Sequence, residues 1–252
     1  MVVRELSLQR YQQVIERLGA IGERSGVRVD VIDIVRRSGY ALPFFRVQTE
    51  QNAGKHVCMS AGIHGDEPAG VEALLSFFER PQLPNATITA LPCLNPIGFI
   101  AGTRRTDVGI DLNRTFGQDT APLETQLTRL ALEGLRFDAG IDLHEDTEAR
   151  GFYLYEHVRG GRASIGGHIV ASVRATGLPI SDAPTVEGRA LVDGCVEPAE
   201  ETLSPLVGFF SIYLFDRHAN HTLVPESPAI LPMRARVAMH HAAIDALLDS
   251  GR

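Results

Sequence analysis

Apolar residues at Leu6, Tyr11, Val14, Ile15 and Leu18 recur at three- and four-residue steps, which predicts an amphipathic helix over residues 5–24. From Val27 to Arg36 the period drops to two, and the apolar tendency returns from Ala41 to Val47 after Ser38-Gly39. The pair predicts a hairpin at a sheet edge. His56 to Ala61 is a short apolar run broken at Gly62, and Pro68 stands where a helix can begin, at a first-turn position that needs no N–H. Thr87–Leu94, Phe137–Leu143 and Gly151–Tyr155 read as further strands; Pro122–Leu135, Arg162–Thr176 and Leu231–Leu248 read as helices. Strands alternating with helices imply an α/β fold, a three-layer α/β/α sandwich around a mixed, mostly parallel twisted sheet. Residues 177–208 carry four prolines and little periodicity, long enough for a candidate functional loop region.

At 252 residues the chain suits one large α/β domain or two small ones; a single ample core over residues 1–252 is the default, because nothing in the chain reads as an interdomain linker or a repeat. Hydrophobic residues at 44% and charged residues at 22% are ordinary globular usage, which leaves no case for a disordered or fibrous protein. A formal net charge of −7 disfavours non-specific attraction to nucleic acid or to an anionic membrane, so the expected partner is a small molecule or a peptide. No apolar run approaches the roughly 20 residues that span a bilayer. Arg4, Glu5 and Arg10 interrupt the stretch a signal peptide would need, so a cytoplasmic location is expected. Cys58, Cys93 and Cys195 lack the spacing of a metal knuckle or a disulfide scaffold, and the first two read as reduced core residues.

His64 and Glu67 sit three residues apart at a strand-to-helix turn, where their side chains emerge on one side. His144 follows far downstream at the end of the Phe137–Leu143 strand, and open α/β sheets place their ligand sites at the carboxyl ends of strands. Two imidazoles and one carboxylate are the ligand set of a catalytic zinc, one ion per chain, with a fourth position left for water or substrate.

Around this set the chain resembles the zinc carboxypeptidase family, the carboxypeptidase A-like enzymes with their aspartoacylase and succinylglutamate desuccinylase relatives. The matching segments are Gly62-Ile63-His64-Gly65-Asp66-Glu67, Asn95-Pro96-Ile97-Gly98, Gly109 to Phe116, Asp142-Leu143-His144 and Val224 to Pro228. The resemblance implies that Asn113 and Arg114 hold the free carboxylate of a substrate, the guanidinium through two parallel hydrogen bonds. It implies that Asp111 accepts the second ring N–H of His64 and that Arg104, rather than its neighbour Arg105, faces the carbonyl oxygen where charge gathers. Glu226 then resembles the family's general base.

The implied reaction is zinc-dependent hydrolysis of an amide bond next to a free carboxylate. Carboxypeptidase action on a peptide is the first expectation, deacylation of an N-acyl amino acid the alternative, and a catalytically silent binding protein the rival of another class. The family's loop tyrosine has no clear counterpart, Tyr213 being the nearest upstream of Glu226. Glu145, Asp146 and Glu148 read as a solvated acidic loop, although alternation puts Asp146 on the side of His144. His218 and His221 read as polar loop residues.

Overall fold

The computed structural model describes residues 2–49, 54–160, 162–197 and 208–250, with the backbone alone for residues 2–7. The side chain of Leu6 and residues 198–207 of the proline-containing region therefore lie outside the described residues. In chain order the elements are α1 (Val2–Gly22), β1 (Val27–Arg37), β2 (Tyr40–Thr49), β3 (His56–Ala61), α2 (Pro68–Phe78), β4 (Thr87–Leu91) and α3 (Pro96–Ala101). A 3-10 turn at Leu112–Arg114 leads to α4 (Leu123–Leu132), β5 (Ala139–Asp146), β6 (Tyr153–Val158) and α5 (Gly166–Ala175). Three short strands, β7 (Thr185–Val186), β8 (Arg189–Val192) and β9 (Cys195–Val196), occupy the expected loop region, followed by α6 (Phe210–Arg217), β10 (His221–Pro228) and α7 (Met233–Asp249).

The sheet runs β1-β2-β4-β3-β5-β10-β6-β9-β8-β7. Its middle, β4-β3-β5-β10, is parallel. The flanks are antiparallel apart from the β6–β9 pair, because β1–β2 and β7–β8–β9 are joined by tight turns that can only reverse the chain. A mixed sheet is thus found as expected, with its parallel pairing concentrated at the centre. Helices α2, α5 and α7 pack together over one face, and α4 and α6 cover the other. Helix α2 buries Ala69, Val71, Leu74, Leu75, Phe77 and Phe78, so it is apolar nearly all round, as befits a helix held between the sheet and its neighbours α1 and α7. Each such fully buried Leu or Phe contributes about 1.5–3 kcal/mol by leaving water.

Strand β3 connects through α2 to β4 on one side, whereas β5 has β10 on the other. The chain therefore changes direction across the sheet between β3 and β5, and a crevice opens beyond their carboxyl ends. Backbone bonds from Leu94 to Ala61 (3.0 Å) and from Asn95 to Gly62 (2.8 Å) carry the β3–β4 pairing past the strands, drawing the Asn95 turn against the loop that follows β3. The two touch at glycines: a Cβ on Gly65 would lie 1.9 Å from the backbone carbon of Gly98, and a Cβ on Gly98 would lie 2.4 Å from the Asn95 amide. Both segments can approach this closely only because neither residue has a side chain. Gly65→Ala should therefore force backbone movement and lower stability by about 1–3 kcal/mol, measured by denaturant unfolding. An unchanged midpoint would show that the contact is not as tight as this.

Candidate metal centre

His64 lies in the turn between β3 and α2, Glu67 is the residue before the first turn of α2, and His144 lies near the end of β5. The three side chains are buried, and one ligating atom from each lies within 4.8 Å of the others. Glu67 bridges the histidines: Oε1 is 2.6 Å from His64 Nδ1 and Oε2 is 2.9 Å from His144 Nδ1. Burial opposes charge on Glu67, but His144 and His64 outweigh it and hold the carboxyl well below its usual range. Burial likewise opposes a charged His144, and Asp142 with Glu67 reverses that and holds its imidazole well above the ordinary value.

The far side of each ring faces a second carboxylate. His144 Nε2 is 3.0 Å from Asp142 Oδ2, and Asp142 in turn accepts from Ser60 Oγ at 2.6 Å. His64 Nε2 faces Asp111 Oδ1 at 3.3 Å, an ion-pair distance without the alignment of a hydrogen bond, so this buried nitrogen is left unbonded. Asp111 also caps the 3-10 turn by accepting from Asn113 N at 3.0 Å. Burial opposes charge on Asp111, and His64, Arg104 and Arg114 together keep its carboxyl well below the usual range. Outer carboxylates that receive the second ring N–H fix which nitrogen of a histidine is offered to a metal.

Asp142 was not foreseen, though the signal was available: residues two apart on a strand share a face, so Asp142 stands beside His144 for the same reason as Asp146. The sequence pattern puts Glu145 in a solvated acidic run, and the structure corrects that. It is 6% exposed, accepts from Ala69 N in the first turn of α2 at 2.6 Å, and pairs with Arg236 of α7. Its own backbone N–H donates to Glu67 Oε2 at 3.1 Å, so Glu145 ties β5, α2 and α7 around the bridging carboxylate.

A cavity of about 660 Å³ opens over this group, lined among others by Arg104, Asn113, Arg114 and Glu226. The Arg104 guanidinium lies 3.2 Å from His64 Nδ1 and 3.5 Å from Glu67 Oε1, and its Nε donates to Asp111 at 3.3 Å. Arg105 instead donates to the Gly109 carbonyl on the outside of the loop. Asn113 Oδ1 accepts from the Phe210 N–H at the start of α6 (2.8 Å), and Arg114 stacks over Phe209 with its guanidinium carbon 3.9 Å from the ring centre. Glu226 on β10 stands opposite His144 on β5. Burial pushes the Glu226 carboxyl well up, a trend His144 opposes and Glu67, Asp146 and Asp142 reinforce.

Tyr213 is turned away from this cavity, bonded through its hydroxyl to His218 at 3.2 Å on the other side of α6. His218 and His221 are both buried rather than loop-surface residues, the second paired with Glu156 at 2.6 Å.

A trio able to hold a metal ion at the carboxyl ends of parallel strands, within a sheet covered by helices on both faces, matches a metallopeptidase-like α/β fold. Solved structures share it. A candidate metallopeptidase from Shewanella amazonensis superposes with a TM-score of 0.78 at 22% identity, covering 96% of this chain and 92% of its own. A metallo-carboxypeptidase from Pseudomonas aeruginosa, solved with (2-guanidinoethylmercapto)succinic acid, superposes at 0.66 with 16% identity, covering 95% and 68%. Carboxypeptidase SOL1 of Arabidopsis thaliana is 30% identical over 152 residues, which are 52% of this chain and span only 29% of that protein. Residues 53–183, over half of the chain, match the succinylglutamate desuccinylase/aspartoacylase catalytic domain, and the chain belongs to that hydrolase family. Among the described residues no helix is long and apolar enough to cross a membrane.

Removing an outer carboxylate should weaken metal binding at the trio without touching the trio itself. Asp142→Ala is expected to weaken metal binding about 10–100-fold, measured by chelator competition with a divalent cation. Wild-type affinity in that variant would show that Asp142 does not orient His144.

Proposed function

We propose that the chain is a single catalytic domain that hydrolyses an amide bond adjacent to a free carboxylate and depends on one zinc ion held by His64, Glu67 and His144. The observation that carries this reading is the cavity in which the trio, a paired asparagine and arginine, and an otherwise unengaged glutamate face one another. The donor set fits zinc: two imidazole nitrogens and a carboxylate converge from buried side chains, and each imidazole has an outer carboxylate behind it. When bound, zinc supplies Lewis-acid polarisation of a carbonyl and lowers the pKa of water.

The protein's own groups supply the rest. Arg114 holds the substrate carboxylate, its plane already fixed by stacking on Phe209, while the Asn113 amide, anchored through Oδ1 to α6, has its N–H groups left to donate. That grip sets the scissile carbonyl between Arg104 and Glu226. Arg104 stabilises negative charge on the carbonyl oxygen as the water adds. Glu226 takes the proton from the attacking water and returns it to the departing amine nitrogen. Burial favours the uncharged form of such a base, so it gives the proton up less readily to bulk water than a surface glutamate would.

Carboxypeptidase action on a short peptide is the first reading, consistent with a cavity of this size and with the likeness to metallo-carboxypeptidase folds. Removal of an acyl group from an N-acyl amino acid is the second, favoured by the family match. Both use the same residues in the same roles. A mass-spectrometric screen of C-terminally free peptides, their C-terminal amides and N-acyl amino acids should yield products from the free-acid peptides alone. Products from N-acyl amino acids alone would select the second reading, and equal cleavage of amides and acids would remove Arg114 from its role.

Glu226→Gln should keep zinc and lose about 10²–10⁴-fold in kcat. A variant that turns over at the wild-type rate would leave the chain without its assigned base.

A further inference from the structure

Strand alternation places Asp142, His144 and Asp146 on one face of β5, the face that carries the candidate metal ligand. Asp146 therefore brings a second carboxylate to the zinc side of the sheet, beside Glu226. Carboxylates readily take a vacant position on zinc, and a fourth protein ligand would occupy the place that water needs. Something must hold Asp146 back.

The structure provides that restraint in two bonds. Asp146 Oδ1 accepts from the Glu148 backbone N–H at 2.7 Å, a local turn, and Oδ2 accepts from the Tyr153 hydroxyl at 2.8 Å. Tyr153 is the first residue of β6 and is directly opposite Glu226 in the antiparallel β6–β10 pair, so the two side chains rise from the sheet as neighbours on one face. Its ring is 3% exposed and packed with Leu191 of β8 and Val196 of β9 in a small apolar cluster separate from the main core. The β7–β9 segment thus clamps the tyrosine from outside. Burial, together with Glu226 and Asp146, raises the hydroxyl's pKa, so it remains a proton donor. Among the described residues the Glu226 carboxylate has no hydrogen bond or ion pair, in contrast to Asp146.

We propose that Tyr153 is a positioning residue of the reaction centre: by donating to Asp146 it keeps that carboxylate off the zinc and leaves Glu226 unengaged beside it. This rests on the zinc-hydrolase reading given above. It also assigns a task to a tyrosine fixed on the sheet, whereas Tyr213 faces away from the cavity.

The test compares zinc-loaded wild type with Tyr153→Phe, which keeps the packed ring, and with Tyr153→Phe combined with Asp146→Asn, which removes the charge being restrained. Zinc affinity is read by chelator competition, the number of zinc neighbours by X-ray absorption, and kcat and KM on the best substrate of the screen. Tyr153→Phe should bind zinc about tenfold more tightly, gain one oxygen neighbour and lose about tenfold in kcat, with KM changed less than about twofold. The double variant should return all of these towards wild type.

Unchanged zinc affinity and neighbour number in Tyr153→Phe would overturn the proposal, as would a double variant that fails to revert. A wild-type protein that binds zinc but cleaves nothing would overturn the functional reading alone, because the zinc measurements would still decide on Tyr153.

Discussion

Everything in this site hangs on the Glu67 carboxylate, which lies between two buried imidazoles and reaches each of them within hydrogen-bond distance. A carboxylate removed from water is tolerated only when it is paired and bonded. Here the pairing is supplied by the same groups that are proposed to hold the zinc. Glu67 can stand there because Pro68 begins α2 directly after it, which aims the helix's first N–H groups towards β5, where the Glu145 side chain receives one of them. The convergence of the trio is therefore a property of how α2 meets the sheet rather than of three residues in isolation.

The second layer follows the same logic. Asp111 and Asp142 sit behind the two rings, and Arg236 compensates the buried Glu145. Breaking a buried pair of this kind costs about 3–5 kcal/mol, because one charge is left without its partner. Helix α7 thereby belongs to the site although it contributes nothing to the cavity wall. Beyond it, His240 is fully buried and bonded to Ser227 Oγ at 3.0 Å, and burial pushes its imidazole down to about 3, so it stays neutral beneath the metal group.

Much of this was legible in the chain. The period-two run before Ser38-Gly39, the break at Gly62 and the proline at position 68 gave the edge hairpin, the end of β3 and the start of α2 to within a residue or two. The trio could be read because its members are joined by local geometry, a three-residue spacing and a strand end. Three things were hidden. Strand β10 carries Pro225 and Pro228, which cannot donate to a ladder and normally argue against an interior strand, yet it lies between β5 and β6 with its β5 pairing interrupted at Val224–Pro225. Helix α3 is only six residues long and depends on the Asn95 cap, so it left no periodic trace. The role of Glu145 depends on Arg236, 91 residues away, and no pattern in the sequence links the two.

The most direct measurement is anomalous diffraction at the zinc edge from crystals of the zinc-loaded protein. One peak within about 2.0–2.2 Å of a nitrogen of His64, a nitrogen of His144 and a carboxylate oxygen of Glu67 is expected. A stoichiometric ion bound elsewhere, or no ion at saturating zinc, would contradict the metal centre and the chemistry built upon it.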